Sequence, residues 1–321
     1  MRQTSLFNFS KNAGLSPNTP IVDLFCGCGG YSCGAERAGH NVVLAVDSDH
    51  NLLDMHALNH TNCEHICCEL PRDDLPFPTS GPWHLHASPP CTKLSNMQPL
   101  QYEREREQAI ELVQWFFDLV RQKNPSSWSF EQVNHELIRS ILTKLKATHP
   151  TRFDWMVVDA VNYEVPQNRK RIVAGTPFVM ANLRLFKSRK RKLTVIDVIP
   201  NPPRAFIRNN LYTRPDPVTR ERYDVDLKDQ IRPVTAPSFT ILATGHKRWS
   251  DEEGNVLRHL SVQECALIQT FPLEYKMAES RMVSRVGIGN AVPCRLAEIL
   301  MKPTTWLGRS TQVRVSHDRT E

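Results

Sequence analysis

An apolar run, Ile21 to Phe25, interrupted only by Asp23, breaks straight into the glycine turn Cys26-Gly27-Cys28-Gly29-Gly30. That is how a buried strand enters a tight turn at the carboxyl edge of a parallel sheet. The pattern then repeats. A helix is expected from Ser32 to Ala38, stopped by Gly39, then a strand from Val42 to Val46 closed by Asp47, and a helix from Asn51 to Asn59. Trp83 to Ala87 leads into Pro89-Pro90, Glu103 to Lys123 is a long amphipathic helix with Ile110, Val113, Phe117 and Val120 on one side, and Trp128 to Phe130 is a short strand. Ile138 to Ala147 reads as helix, and Met156 to Val161 and Arg171 to Ala174 as strands. Strands alternating with helices imply an α/β class: a doubly wound, mostly parallel, Rossmann-like sheet covered on both faces.

After about Met180 prolines and basic residues become dense, and helical periodicity fades until Ser261. The expected organisation is a cofactor-binding and catalytic domain over 18–182 and a small irregular recognition domain over 183–275. A return to the first domain follows over 276–307, with flexible tails at 1–17 and 308–321. A helix restarts over Ser261 to Gln269, and Arg295 to Met301 forms the last one. No apolar run approaches the roughly 18 residues that span a bilayer. The polar stretch Met1 to Pro20 lacks the apolar middle of a secretory signal, so a soluble intracellular chain is expected.

The net charge of +6 suits a polyanionic partner without requiring one. Arg184, Lys187, Arg189, Lys190, Arg191 and Lys192 crowd into nine positions and are expected to meet nucleic-acid phosphates. Nine cysteines, an odd number in a long chain, argue against a disulfide framework. Cys63, His65, Cys67 and Cys68 look ligand-like, but a single linear cluster rarely closes a zinc tetrahedron, and no metal is expected.

The glycine turn is spaced Gly-x-Gly-Gly, unlike the dinucleotide Gly-x-Gly-x-x-Gly, which favours an amino-acid-bearing nucleoside over a pyrophosphate. Asp47, about twenty residues on, is placed to accept ribose hydroxyls, and Glu69 to receive an adenine amino group. Cys91 follows two rigid prolines, as a fixed nucleophile would. Without its neighbours it would be one buried thiol among nine. Glu131 is placed as a carboxyl proton donor after the Trp128–Phe130 strand. Arg169 and Arg171 alternate, so both are expected on one face, holding a carbonyl oxygen and nearby charge.

With these residues in this order, the chain resembles the DNA cytosine-5 methyltransferases over roughly 20–180 and 255–302. Asp23 to Gly30 is similar to the family's S-adenosylmethionine motif, and Pro90-Cys91 to its Pro-Cys nucleophile. Glu131-Gln132-Val133 is similar to Glu-Asn-Val, and Gln167, Arg169 and Arg171 to Gln-x-Arg-x-Arg. Arg258 to Ala266 with Phe271-Pro272 resembles the ninth motif, and Gly289-Asn290-Ala291-Val292 the last. Thr92, Gln132 and Ala291 replace the usual Gln, Asn and Ser.

The resemblance implies S-adenosylmethionine held by Asp23, Phe25, Gly27, Gly29, Gly30, Asp47, Ser48, Glu69, Pro90, Asn290 and Ala291. It also implies a monomer acting on double-stranded DNA, with Arg258 joining the basic run in the contact. The implied reaction flips the cytosine out, adds Cys91 to carbon 6 and methylates carbon 5. An RNA methyltransferase of the same fold and a non-enzymatic nucleic-acid-binding relative are the rival readings.

Overall fold

The computed structural model describes residues 15–90, 99–148, 153–188, 191–203, 206–209, 213–215, 222–224, 230–244 and 247–303, with side chains in 99–106, 213–215 and 222–224 and at 109 left aside. Cys91, Thr92, Arg189 and Lys190 lie outside the described residues.

Seven strands make the main sheet: β1 (Pro20–Leu24), β2 (Asn41–Asp47), β3 (Glu64–Cys67), β4 (His84–Ala87), β5 (Ser127–Val133), β6 (Asp154–Asp159) and β7 (Lys170–Gly175). Their order is β3-β2-β1-β4-β5-β7-β6. The first five run parallel, and β7 is antiparallel to both its neighbours. The strand order reverses beside β1, so the carboxyl ends of β1 and β4 diverge there and open a crevice.

Alternation along each strand feeds two cores. Val22, Leu24, Leu85 and Phe130 point to one face, where α3 (Pro99–Lys123) brings Val113, Phe116 and Leu119 and α4 (Glu136–Thr148) brings Ile138 and Leu142. Ile21, Val42 and Val173 point to the other, covered by α1 (Gly30–Arg37), α5 (Pro177–Leu185) and α8 (Cys294–Leu300). Helices α1 and α8 touch so closely that a Cβ on Gly34 would lie 2.3 Å from the Cys294 carbonyl. The last helix therefore packs back onto the main sheet, as expected. Helix α2 (His50–Ala57) starts at Asp49, whose carboxylate accepts from the Asn51 and Leu52 amides.

The small lobe is a four-stranded antiparallel sheet in the order β11-β8-β12-β13, built from β8 (Phe206–Arg208), β11 (Ile231–Pro233), β12 (Arg248–Ser250) and β13 (Val256–His259). A separate ribbon pairs β9 (Thr213–Pro215) with β10 (Arg222–Asp224). Helix α6 (Val262–Ile268) opens on a capping box in which Ser261 and Glu264 satisfy each other's amides. Helix α7 (Arg281–Asn290) was not expected from the sequence. These helices share one core with Ile207, Ile241 and Trp249 of the small lobe and with Cys28, Cys33, Leu52 and Met55 of the large one.

Two expectations about organisation change. The lobe boundary placed after residue 182 falls inside α5, which stays on the main sheet through Leu185. Strand β5 does not end at Phe130 but runs on through Glu131 to Val133, because β7 pairs with it along its whole length.

Candidate active site

The carboxyl edge of the parallel strands gathers the glycine turn, Asp47, the Pro89-Pro90 turn and Glu131. Phe25 and Gly27 have positive φ of 58° and 52°. A Cβ on Gly27 would meet nothing within 4 Å, so this glycine opens onto free space. Its amide donates to Asp47 Oδ2 at 2.8 Å, while Asp47 Oδ1 accepts from the Asp49 amide at 2.9 Å. Burial raises the pKa of Asp47, partly offset by these amides. Phe25 sits edge-on to Trp115 of α3, with ring centroids 6.3 Å apart. Ser48 and Glu69 are exposed, Ser48 directly after β2 and Glu69 two residues past β3.

The other two glycines of the turn answer to packing. A Cβ on Gly29 would strike Tyr275 Oη at 2.5 Å, and one on Gly30 the Val292 carbonyl at 2.3 Å. Asp23 also departs from expectation. It is fully buried and faces α1, accepting from Ser32 Oγ at 2.7 Å. Burial, opposed by that hydrogen bond, pushes its carboxyl up to about 7. Asp23 thus shapes the turn from behind and does not face open space.

Glu131 is 7 % exposed. Burial raises its pKa against the pull of Arg171 and Arg169. Arg171 lies on β7 diagonally across from it, since Glu131 pairs with Val173 and Val133 with Arg171. Arg171 Nε comes within 3.0 Å of Glu131 Oε1 in an ion pair that lacks hydrogen-bond alignment. Next door, Gln132 Nε2 donates to the Pro89 carbonyl at 2.8 Å, tying the Pro-Pro turn to β5. Gln132, where the family's usual residue is Asn, therefore has a visible task.

Arg169 is corrected. It precedes β7, so the alternation that would place it beside Arg171 has not begun. It is 1 % exposed, and its guanidinium donates to the carbonyls of Ile241 (2.8 Å), Gly289 (2.9 Å) and Ala291 (3.0 Å). Gln167 works beside it, donating to Gln269 Oε1 (2.7 Å) and the Ile268 carbonyl (3.1 Å) and accepting from the Ile241 amide (3.0 Å). Both residues join the lobes. Asn290 is exposed at the end of α7, and the Ala291 carbonyl also accepts from Gln269.

Between the lobes lies a cleft of about 910 Å³ lined by Arg171, Lys170, Asn209, Arg232, Leu242 and Lys247, among others. Lys247 is buried, donates to Asn209 Oδ1 at 2.6 Å, and is lowered to about 8 by burial. Arg232 stacks over Phe239 and donates to Asn168 Oδ1 at 2.7 Å. Arg232 and Lys247 were not singled out in the sequence because they lie far along the chain from Arg171, and only folding brings all three to one cleft.

The basic run fares differently. Arg184 pairs with Asp154, which stands opposite Gly175 at the sheet edge away from Glu131. Arg191 is held by both oxygens of Asp197 at 2.8 Å. Lys187 and Lys192 are exposed. Arg258 grips Glu264 at 2.8 Å with both terminal nitrogens, and the same carboxylate accepts from fully buried Trp249 at 3.2 Å. Trp249, expected in the DNA-reading segment, is core. Among the described residues, no group of three or more His, Cys, Asp or Glu could hold a metal ion, and no helix is long and apolar enough to cross a membrane.

The strand order and the crevice beside β1 define a Rossmann-like methyltransferase fold, and solved structures agree. A putative DNA modification methyltransferase encoded within an E. coli prophage superposes with a TM-score of 0.60 at 20 % identity, covering 88 % of this chain and 97 % of that one. The S. pombe Dnmt2 methyltransferase gives 0.58 at 14 % identity over 90 % and 98 %. Residues 19–305 match the C-5 cytosine-specific DNA methylase family, and the chain belongs to it. Curated relatives include the Type II methyltransferases M.HgiDI of Herpetosiphon aurantiacus, 28 % identical over 87 % of this chain and 92 % of that protein, and M.MthTI of Methanothermobacter thermautotrophicus, 26 % identical over 89 % and 96 %. The protein is a DNA (cytosine-5) methyltransferase, a family of S-adenosylmethionine-dependent enzymes.

Proposed function

We propose that this chain methylates a flipped-out cytosine in duplex DNA as a monomer, as the modification partner in a Type II restriction–modification pair, through Cys91, Glu131 and Arg171. The observation that carries the residue roles is the pairing of buried Glu131 with Arg171 of the cleft wall, one residue from the Gln132 contact that fixes Pro89, two positions before Cys91.

The open face at Gly27 and the half-buried Asp47 carboxylate fit the donor, with Gly27 and Phe25 against it and Asp47 at its ribose hydroxyls. Bound S-adenosylmethionine supplies the methyl group for carbon 5 as a sulfonium electrophile. Cys91 thiolate adds to carbon 6, and the ring electrons move toward carbon 5. Glu131, whose carboxyl burial biases toward the protonated form, hydrogen-bonds ring nitrogen 3 and so stabilises that charge. Arg171 holds the ring oxygen. Loss of the carbon-5 proton to a base then returns the electron pair, the Cys91–carbon bond breaks, and the aromatic ring is restored. The phosphates on either side meet Lys170, Arg171 and Lys247.

A duplex carrying 5-fluorocytosine at the methylated site should be trapped on Cys91, because fluorine cannot leave as a proton. A donor-dependent shifted band on a denaturing gel that disappears in Cys91→Ser is the expected result. No band at a site proven by bisulfite sequencing would overturn covalent catalysis.

A further inference from the structure

Strand β4 is buried on both faces, a setting that calls for Val or Ile, yet it reads His84-Leu85-His86-Ala87. Leu85 packs into the α3 side of the core. His84 and His86 point the other way, and every polar atom on them has a partner. His84 Nδ1 meets Ser127 Oγ at 2.7 Å, and its Nε2 meets Ser129 Oγ at 2.9 Å and Tyr31 Oη at 3.0 Å. His86 Nδ1 meets the same Ser129 Oγ at 2.7 Å, and its Nε2 meets Ser88 Oγ at 2.6 Å. The Tyr31 ring lies flat on His86, with centroids 3.4 Å apart and planes at 4°. Tyr31 belongs to α1, which continues directly from the glycine turn.

We propose that His86 and Ser88 are positioning residues for methyl transfer. They end a hydrogen-bonded line that starts at Tyr31 on the cofactor helix, crosses His84 and Ser129, and fixes the carboxyl end of β4. Three bonds converge there. The Ser88 amide donates to the Leu24 carbonyl at 3.2 Å, Ser88 Oγ bonds His86, and the Pro89 carbonyl accepts from Gln132. Leu24 leads into the cofactor turn, Ser129 and Gln132 flank Glu131, and Cys91 follows Ser88 by three positions. One network thus ties together the strand entering the cofactor turn, the Glu131 strand and the Ser88–Pro89 backbone that precedes Cys91 in sequence. A strand that had only to be stable would fill these sites with aliphatic side chains; a fully satisfied polar network instead specifies a single arrangement. The proposal rests on Cys91 being the nucleophile.

The test uses the full chain and a duplex carrying its own methylated site. Single-turnover methyl transfer, donor and DNA affinity, and melting temperature are measured for Ser88→Ala, Ser88→Thr, His86→Leu and the His86→Leu/Ser88→Ala pair. Ser88→Ala should slow the single turnover about tenfold or more, as small misplacements of reacting groups do, with both affinities within about twofold of the parent. Ser88→Thr, which keeps the hydroxyl, should recover to within about threefold, and Ser88→Ala should add little on top of His86→Leu. If His86→Leu does not fold, the Ala and Thr variants at position 88 still decide. A parental rate in Ser88→Ala, equal losses in Ala and Thr, or a loss confined to affinity or melting temperature would overturn the positioning role. The nucleophile assignment falls on a different result, turnover by Cys91→Ser, and a parental Ser88→Ala rate would leave that assignment untouched.

Discussion

Arg169 and Arg171 are two positions apart and serve different regions. Arg169 lies in the lobe junction, where its guanidinium meets three backbone carbonyls from two distant segments. Arg171 lies in the cleft wall, half-buried, with Glu131 as its charged neighbour. The difference comes from the backbone: β7 begins at Lys170, so the residue before it turns into the junction while the residue after it follows the pleat. The same five-residue motif therefore both joins the lobes and lines the cleft. Substitutions on the junction side should cost stability, and those on the cleft side should cost turnover.

The largest expected effect is on the junction. Arg169→Ala takes this donor from the buried Ile241 and Gly289 carbonyls, while Gln269 still serves Ala291, and should lower stability by about 1–3 kcal/mol for each acceptor left unsatisfied. Arg169→Lys should recover little, since one ammonium cannot reproduce a planar fork that reaches Ile241, Gly289 and Ala291 together. Denaturant titration measures both. A variant that melts like the parent but has lost turnover would move Arg169 back into the cleft and erase the contrast.

Glu131→Gln sharpens it from the other side. Losing the proton donor should reduce turnover about 10²-fold or more. Stability should move the opposite way. Burial raises the folded pKa of Glu131 above its unfolded value, so the protonated form is favoured in the fold. Its stabilising contribution is fully present below the unfolded pKa and is lost as pH rises through the folded one. The Gln variant, which never ionises, should melt above the parent at pH 8, and the gap should close toward pH 4. Melting curves across that range check this; a gap that stayed constant would show that the carboxyl is not held protonated by burial.

How much of this was legible in the sequence varies with the length of the signal. The strands β1 and β2 and the helix α6 were readable because apolar runs, glycines and the Ser261–Glu264 capping box mark them locally. Helix α7 was hidden by its own glycines. A Cβ on Gly287 would lie 2.8 Å from Cys28 Cβ, and one on Gly289 would lie 2.1 Å from the Ala243 amide, so tertiary contact chose residues that local propensity disfavours. The small-lobe strands β8 to β12 are three residues each, too short to show alternation. At the site, Glu131 and Arg171 stood out through the order of their motifs, whereas His86, Ser88 and Lys247 had no sequence pattern to announce them.

The smallest expected effect concerns the edge of the sheet farthest from the cleft. The crowding of Arg184 with Lys187 and Arg191 suggested a phosphate-gripping strip. Arg184 instead pairs with Asp154, and Asp154 sits opposite Gly175. Along β7, Gly175 lies two residues from Val173, the partner of Glu131, and four from Arg171, at about 3.4 Å per residue. Lys170 and Arg171 line the cleft, so a duplex lying there is expected to meet them and not Arg184. Arg184→Ala should cost less than about 1 kcal/mol of stability, as half-exposed ion pairs do, and leave the salt dependence of DNA binding unchanged. Lys170→Ala should instead reduce the slope of log K against log salt by about 0.9, the value for one lost phosphate contact. Binding titrations at several salt concentrations separate the two. A shallower slope in Arg184→Ala would mean that DNA reaches the far edge, and that the two ends of the sheet share the work that the fold assigns to one.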